Sequence, residues 1–271
     1  MTLGAGRIRA LLDEHGLAPS RALGQNFLVD PNTARRIAAA SGAGLGDHVL
    51  EIGPGLGSLT LALAELGAHV TAVELDRHLV PVLRDVVADA DPPVDVVHGD
   101  ALDVDLTELL AGSPRWRLAA NLPYNVGTTI FLRILEEAPA VSGGVVLVQR
   151  EVAERLAARP GEQAYGIPSV KVAWWAGARV AGRVPASVFH PRPRVDSAFV
   201  TFERRDAPGD DAARRRVFAL VDAGFGQRRK MLRRSLAGLV PPEAFEVAGI
   251  DPTRRAEELA LDDWLRLAAS T

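Results

Sequence analysis

Residues 49–76 read VLEIGPGLGSLTLALAELGAHVTAVELD. The apolar run VLEI has the length and composition of a buried strand, and glycines at 53, 55 and 57 stop it. SLTLALAEL (58–66) then carries a helical pattern, and HVTAVEL (69–75) returns to strand. The alternation continues outward through RHLVPVLRDVVADA (77–90), VDVVHGD (94–100), RLAANLP (117–123), TTIFLRILEE (128–137), GGVVLVQ (143–149) and REVAERLAA (150–158). Continuous apolar strands separated by helices predict an α/β fold with a parallel, Rossmann-like sheet covered on both faces. Ligands of such a sheet sit beyond the carboxyl ends of the strands.

Those glycines sit where a backbone must turn sharply and let a ligand approach without interference from a Cβ, and the helix that follows presents free N–H groups. Glu74 ends the next strand roughly twenty residues on, at the spacing where a carboxylate meets a ribose diol. An adenosine cofactor is the natural reading, and two kinds compete. A dinucleotide turn, G-x-G-x-x-G, needs a glycine at position 58, which is Ser58. The observed G-x-G-x-G with Glu51 ahead of it is similar instead to the first motif of Rossmann-like methyltransferases, which bind S-adenosylmethionine. In that class Asp100, at the end of VVHGD, falls where the adenine amino group is held; an aspartate here also suits a helix cap for ALDVDL.

ANLPYNV (120–126) closes the next strand with an amide, a proline and one of only two tyrosines in the chain. An exocyclic adenine amine is a poor nucleophile because its lone pair is delocalised into the ring. Two acceptors, the Asn121 side-chain oxygen and the Leu122 carbonyl, would turn that lone pair towards a methyl donor, a positioning effect. Pro123 fixes the backbone and Tyr124 offers a face for a base to stack on.

Composition bounds the rest. With 48% hydrophobic and 24% charged residues the chain has material for a core, and no apolar run is long enough to span a bilayer. The opening MTLGAGRIRALLDEHG is broken by charges, so a cytoplasmic protein without a signal peptide is expected. Zero cysteines and no i, i+4 pair among six histidines lead us to expect no metal. Net charge is −3, yet residues 204–240 hold ten basic against four acidic residues, a local surplus of the kind that binds anions. Helical patterns without strands follow DAPGDD (206–211), which divides the chain into residues 1–205 and a small, all-helical segment 206–271.

NLPY after the glycine motif, LGQNFLVD (23–30), VFHPRPRVDSAFV (188–200) and FGQRRKMLRRSL (225–236) occur in an order that resembles the small-subunit ribosomal RNA adenine dimethyltransferase family over nearly the whole chain. The resemblance implies N6,N6-dimethylation of two adjacent adenines in the 3′-terminal hairpin loop of small-subunit ribosomal RNA, within a pre-ribosomal particle, with S-adenosylmethionine as methyl donor. Residues 1–205 would be the catalytic, cofactor-binding domain of a class I methyltransferase, and residues 206–271 the RNA-binding domain of a monomer. Asn26, Leu28, Gly53, Glu74, Asp100 and Asn121 would hold the cofactor, together with Glu51, Gly55, Gly57 and Ala101 of the same motifs. The flipped base would lie between Tyr124 and Phe189. Gly127 and Thr129 depart from the residues usual after NLPYN.

Asp30 followed by Pro31 predicts a helix start, with Gln25 to Leu28 as a loop ahead of it. In RRKMLRR a helix would put Arg229 and Arg233 on one face and Lys230 and Arg234 on another, with Arg228 beside them and Met231, Leu232 and Leu236 turned inward. Trp174, Trp175 and Trp264 are expected in the core. Three rivals remain: a macrolide-resistance methyltransferase acting on large-subunit RNA, a DNA adenine methyltransferase, which would start its motif with Asp instead of Asn121, and a non-catalytic assembly factor, which would be expected to lose Glu74 or NLPY.

Overall fold

A computed structural model describes residues 3–271. In chain order it contains α1 Ala5–Glu14, β1 Phe27–Leu28, α2 Pro31–Ala40, β2 His48–Ile52, α3 Ser58–Ala64, β3 His69–Glu74, α4 Leu79–Val86, β4 Asp95–His98, α5 Leu106–Leu109, β5 Trp116–Asn121, α6 Gly127–Glu137, β6 Val141–Gln149 and α7 Arg150–Ala157. There follow α8 Ile167–Trp175, β7 Ala176–Val184, β8 Phe189–His190, β9 Ser197–Arg204, α9 Asp211–Gly226, α10 Leu232–Ser235, α11 Pro242–Ala248 and α12 Leu261–Ala269. No helix among the described residues is long and apolar enough to cross a membrane.

The predicted strands form: β2, β3, β5 and β6 bury their apolar runs within one sheet, and β4 lies at its edge and is only partly buried. The sheet order is β4-β3-β2-β5-β6-β9-β7, with β4, β3, β2, β5 and β6 mutually parallel. The far edge departs from the parallel expectation: β9 runs antiparallel to β6, from Gly143 opposite Glu203 to Gln149 opposite Ser197. Arg117 inside β5 is one exception to the apolar rule, beside Glu51 in β2 and Glu74 at the end of β3. Arg117 donates twice to Glu203, at 2.9 and 2.6 Å, and once to the Ser41 carbonyl at 2.8 Å, so its charge is buried but paired. That guanidinium holds the Glu203 carboxyl below its usual range. At the start of α2 the Asp30 side chain accepts from the Thr33 N–H at 2.9 Å, with Pro31 at the first helical position, as expected.

Contacts group the chain into two compact units, one reaching to Ala153 and including Arg179–Arg204, the other made of Glu154–Ala178 and Arg205–Thr271. The division expected at residue 206 therefore leaves out a piece of the second unit. Tyr165, Val170 and Trp174 share a buried cluster with Val217, Leu220, Val221, Trp264 and Leu267, and the Tyr165 hydroxyl donates to the Leu259 carbonyl at 2.8 Å. The sequence of α8, IPSVKVAWW, is largely apolar but does not say which distant helix will cover it. Trp174 and Trp264 are buried as expected, while Trp175 is only partly so.

RRKMLRR is not one helix. The α9 helix ends at Gly226, residues 227–230 turn, and Met231 lies just ahead of the four-residue α10. Met231 forms an isolated bridge with Arg255, the Leu232 N–H donates to the Arg254 carbonyl and the Arg233 N–H to the Pro252 carbonyl. These bonds to a later part of the chain replace the helical ones. Met231 is accordingly 41% exposed, whereas Leu232 and Leu236 are buried as expected.

Candidate active site

The sheet order β4-β3-β2-β5 brings four strand ends side by side. Asp100 follows β4, Glu74 ends β3, Gly53 follows β2 and Asn121 ends β5, so all four border one cleft. Asn26, Leu28, Glu51, Gly55, Ala101, Leu122 and Tyr124 line it as well. Gly57 is not in the lining; it starts α3, where a Cβ would stand 2.9 Å from Leu83.

Gly53, Gly55 and Gly57 have φ of 70°, 59° and 91°. A Cβ on Gly53 would stand 3.3 Å from the Asn121 carbonyl, and one on Gly55 3.0 Å from the Phe27 ring, so this floor has room for backbone alone. Glu74 shapes it. One carboxylate oxygen accepts from the Gly55 N–H at 2.9 Å and the other from the Asp76 N–H at 2.8 Å. Burial raises the Glu74 carboxyl above its usual range, against the opposing pull of those two N–H groups.

Glu51 is 1% exposed and lines the cleft. Among the described residues one of its oxygens has no hydrogen-bond partner. Burial pushes its carboxyl up to about 8, opposed by Thr60 and reinforced by the negative charge of Glu74. Burial of this kind favours the neutral acid, and a cation beside it would favour the carboxylate.

The Asn121 amide Nδ2 donates to the Asn26 carbonyl at 3.2 Å. A carbonyl can only accept, so the amide is oriented and its Oδ1 is left as an acceptor. The Leu122 N–H donates to the Leu147 carbonyl at 3.0 Å, and no donor among the described residues meets the Leu122 carbonyl. Two acceptors thus stand together at the end of β5. The Tyr124 hydroxyl lies 2.8 Å from Ser197 Oγ, and burial raises its pKa.

The segment before α2 is stitched to the cleft at several points. Gln25 Nε2 donates to Asp76 at 2.8 Å, Ser58 Oγ donates to the Leu28 carbonyl at 2.6 Å, and Asn26 receives Asn121. Asp100 is no helix cap: it accepts from the Leu102 N–H at 2.8 Å within a turn, and Asp105 caps α5.

Phe189 stands apart from the others: it is 4% exposed, lies opposite Leu28 where β8 pairs with β1, packs into the core of the first unit and is not among the residues that line the cleft. Sequence reasoning missed Ser197 and Arg133. Arg133, on the helix after NLPYNV, donates to the Ala101 carbonyl at 2.7 Å and the Val104 carbonyl at 2.9 Å, fixing the turn that carries Asp100. A lone arginine in the apolar run TTIFLRILEE was the available signal. No group of three or more His, Cys, Asp or Glu among the described residues could hold a metal ion.

In the second unit, Arg228 donates to Glu257 at 2.6 Å and to the Gln163 carbonyl at 2.9 Å. Arg229, Lys230, Arg233 and Arg234 are exposed, and no hydrogen bond or ion pair holds their side chains among the described residues, although Arg233 stands near enough to Asp251 to help lower its carboxyl.

Comparison with known proteins agrees with this geometry. Among curated relatives, the ribosomal RNA small subunit methyltransferase A of Leifsonia xyli subsp. xyli is 50% identical over 98% of each chain. That of Kineococcus radiotolerans is also 50% identical, over 98% of this chain and 91% of its own. Among solved structures, the 23S rRNA methyltransferase ErmE has a TM-score of 0.70 at 27% identity over 90% of this chain and 99% of its own. A dimethyladenosine transferase from Plasmodium falciparum has a TM-score of 0.75 at 22% identity over 89% and 95%, and it attests the class I methyltransferase fold. The profile of ribosomal RNA adenine dimethylases matches residues 19–271, and the chain belongs to that family.

Proposed function

We propose that this methyltransferase dimethylates N6 of two adjacent adenines in the 3′-terminal hairpin loop of small-subunit ribosomal RNA, acting as a monomer on a pre-ribosomal particle in the cytoplasm. The observation that carries the reading is the orientation of Asn121, whose donor side is engaged by Asn26 and whose Oδ1 joins the free Leu122 carbonyl as a pair of acceptors. A neutral pair of acceptors suits an exocyclic amine: it aligns the lone pair without placing a full charge that would stabilise substrate more than transition state. Tyr124, tethered through Ser197, offers the stacking face. The 50% identity to proteins named for the small subunit supports that substrate over the large one.

The cofactor is S-adenosylmethionine, and the cleft fits it. The glycine floor admits close backbone approach, Glu74 stands at the spacing for a ribose diol, Asp100 and Ala101 border the adenine end, and buried Glu51 gives a cationic group a partner. Asn26, Leu28, Gly53, Gly55 and Asn121 complete the lining. When bound, the cofactor supplies an electrophilic methyl group.

Because Glu74 would both bind the diol and hold Gly55, Glu74→Ala is expected to weaken cofactor binding by about 2 to 3 kcal/mol, read by calorimetry. Unchanged affinity in the folded variant would remove Glu74 from the site. Arg229, Lys230, Arg233 and Arg234 would hold RNA phosphates, while Arg228 also braces the second unit through Glu257. Replacing those four with glutamine should flatten the salt dependence of small-subunit binding by up to about one unit per residue, with the thermal midpoint unchanged. An unaltered slope would make the run a solvated surface only. The function itself is tested by supplying purified small and large subunits, from cells lacking the enzyme, separately with cofactor and mapping methyl groups by RNA mass spectrometry. Dimethyladenosine in the large subunit alone would favour the macrolide-resistance reading.

A further inference from the structure

We infer that the exposed segment Pro191–Val195 is an RNA-backbone cradle beside the active site, in which Arg192 and Arg194 take phosphates of the nucleotides flanking the target adenosine. The inference rests on the adenine-methylation reading of the cleft and adds a subsite to it.

Both ends of the segment are tied to the cleft. At one end His190 pairs with Phe27, a residue of the cleft lining, and at the other Ser197 Oγ lies 2.8 Å from the Tyr124 hydroxyl. Arg194 is three residues from Ser197, and that length of chain spans at most about 10 Å. With the reach of an arginine side chain added, its guanidinium falls within a nucleotide or two of a base stacked on Tyr124.

Charge points the same way. Arg192 and Arg194 are exposed and have no hydrogen-bond or ion-pair partner among the described residues. In the same unit Arg117 and Arg133 are held by carboxylates and carbonyls. The segment itself holds no acid, and Asp196, the exposed acid that follows it, is engaged locally: its Oδ1 accepts from the Ala186 N–H at 2.9 Å and its carbonyl accepts from the Arg150 N–H at 3.0 Å. Two free guanidinium groups are left facing outward. Pro191 and Pro193 lock φ on either side of Arg192, so less backbone freedom is lost when the pair engages a ligand. Val195, 48% exposed between Arg194 and Asp196, gives a sugar or base an apolar contact. Planar guanidinium forks beside such a surface match a phosphodiester backbone.

The test compares Arg192→Gln/Arg194→Gln with Arg192→Lys/Arg194→Lys and the wild type. Binding of a short hairpin RNA with two adjacent adenines in its loop is measured as a function of salt, alongside cofactor affinity by calorimetry. The glutamine pair is expected to bind RNA about tenfold or more weakly, with a salt slope flatter by about two, and to bind cofactor like the wild type. In methylation assays KM for the RNA should rise while kcat at saturating RNA stays near the wild-type value. The lysine pair, which keeps the charge, should recover most of the binding. Wild-type RNA affinity and salt slope in the folded glutamine pair would overturn the cradle, as would a loss of kcat alone. Failure of the wild-type enzyme to methylate adenine would overturn the reading of the cleft instead, and the RNA-binding comparison would still decide the cradle.

Discussion

Asn121→Ala lowers the single-turnover rate of methyl transfer by about 100-fold or more and leaves RNA affinity near the wild-type value. The side chain touches one amine and no phosphate, so its loss falls on the step in which that amine is aligned and not on the contacts that hold the RNA. Because Nδ2 also braces the Asn26 carbonyl, part of the loss passes through the segment before α2, and cofactor affinity reports that part. Asn121→Asp separates the two effects. It keeps an acceptor but sets a carboxylate oxygen against a carbonyl, so it should weaken cofactor binding while retaining more of the rate at saturating cofactor than alanine does. A wild-type single-turnover rate in the folded alanine variant would remove the end of β5 from the chemistry.

Glu51→Gln stabilises the cofactor-free protein at alkaline pH. The folded-state pKa is raised to about 8 from an ordinary value of 4.5, chiefly by burial. Below pH 4.5 the group is protonated whether the chain is folded or not, and it contributes no difference. As pH rises towards 8 the unfolded chain ionises and the folded one does not, so stability falls across that window and stays low above it. The amide escapes this penalty. At pH 9 the variant is therefore expected to exceed the wild type by as much as about 5 kcal/mol, and at pH 4.5 the two should nearly coincide. Urea midpoints across the pH range measure the gap. A constant difference between the two proteins would mean that Glu51 does not titrate in this window. The same substitution should weaken cofactor binding, because an amide cannot become the carboxylate that a cation needs.

Much of the site was legible because it is built at strand ends, and strands that are buried on both faces are written as apolar runs with visible stops. Gly53, Glu74, Asp100 and Asn121 each sit where such a run breaks, and the sheet order then places them together. What was not legible depends on contacts between distant parts of the chain. Phe189 read as a loop aromatic because prolines surround it, but pairing with Leu28 draws it into the core. RRKMLRR read as a helix because arginine, lysine, methionine and leucine all favour one; bonds to residues 252–255 decide otherwise. Ser197 carries no pattern that would tell it from any other serine near a strand start. Its role appears only once Tyr124 is seen beside it.

The second unit is assembled from two stretches of chain with strands β8 and β9 between them. A ribosome making this protein delivers Tyr165, Val170 and Trp174 well before their partners Leu220 and Trp264. At roughly 5 to 20 residues per second the delay is on the order of ten seconds, far longer than a helix needs to form. During that interval the apolar side chains of α8 are uncovered on the nascent chain, and holding chaperones have their opportunity there. Chains stalled just after β9 should therefore be more readily captured or cleaved near α8 than chains extended past α12.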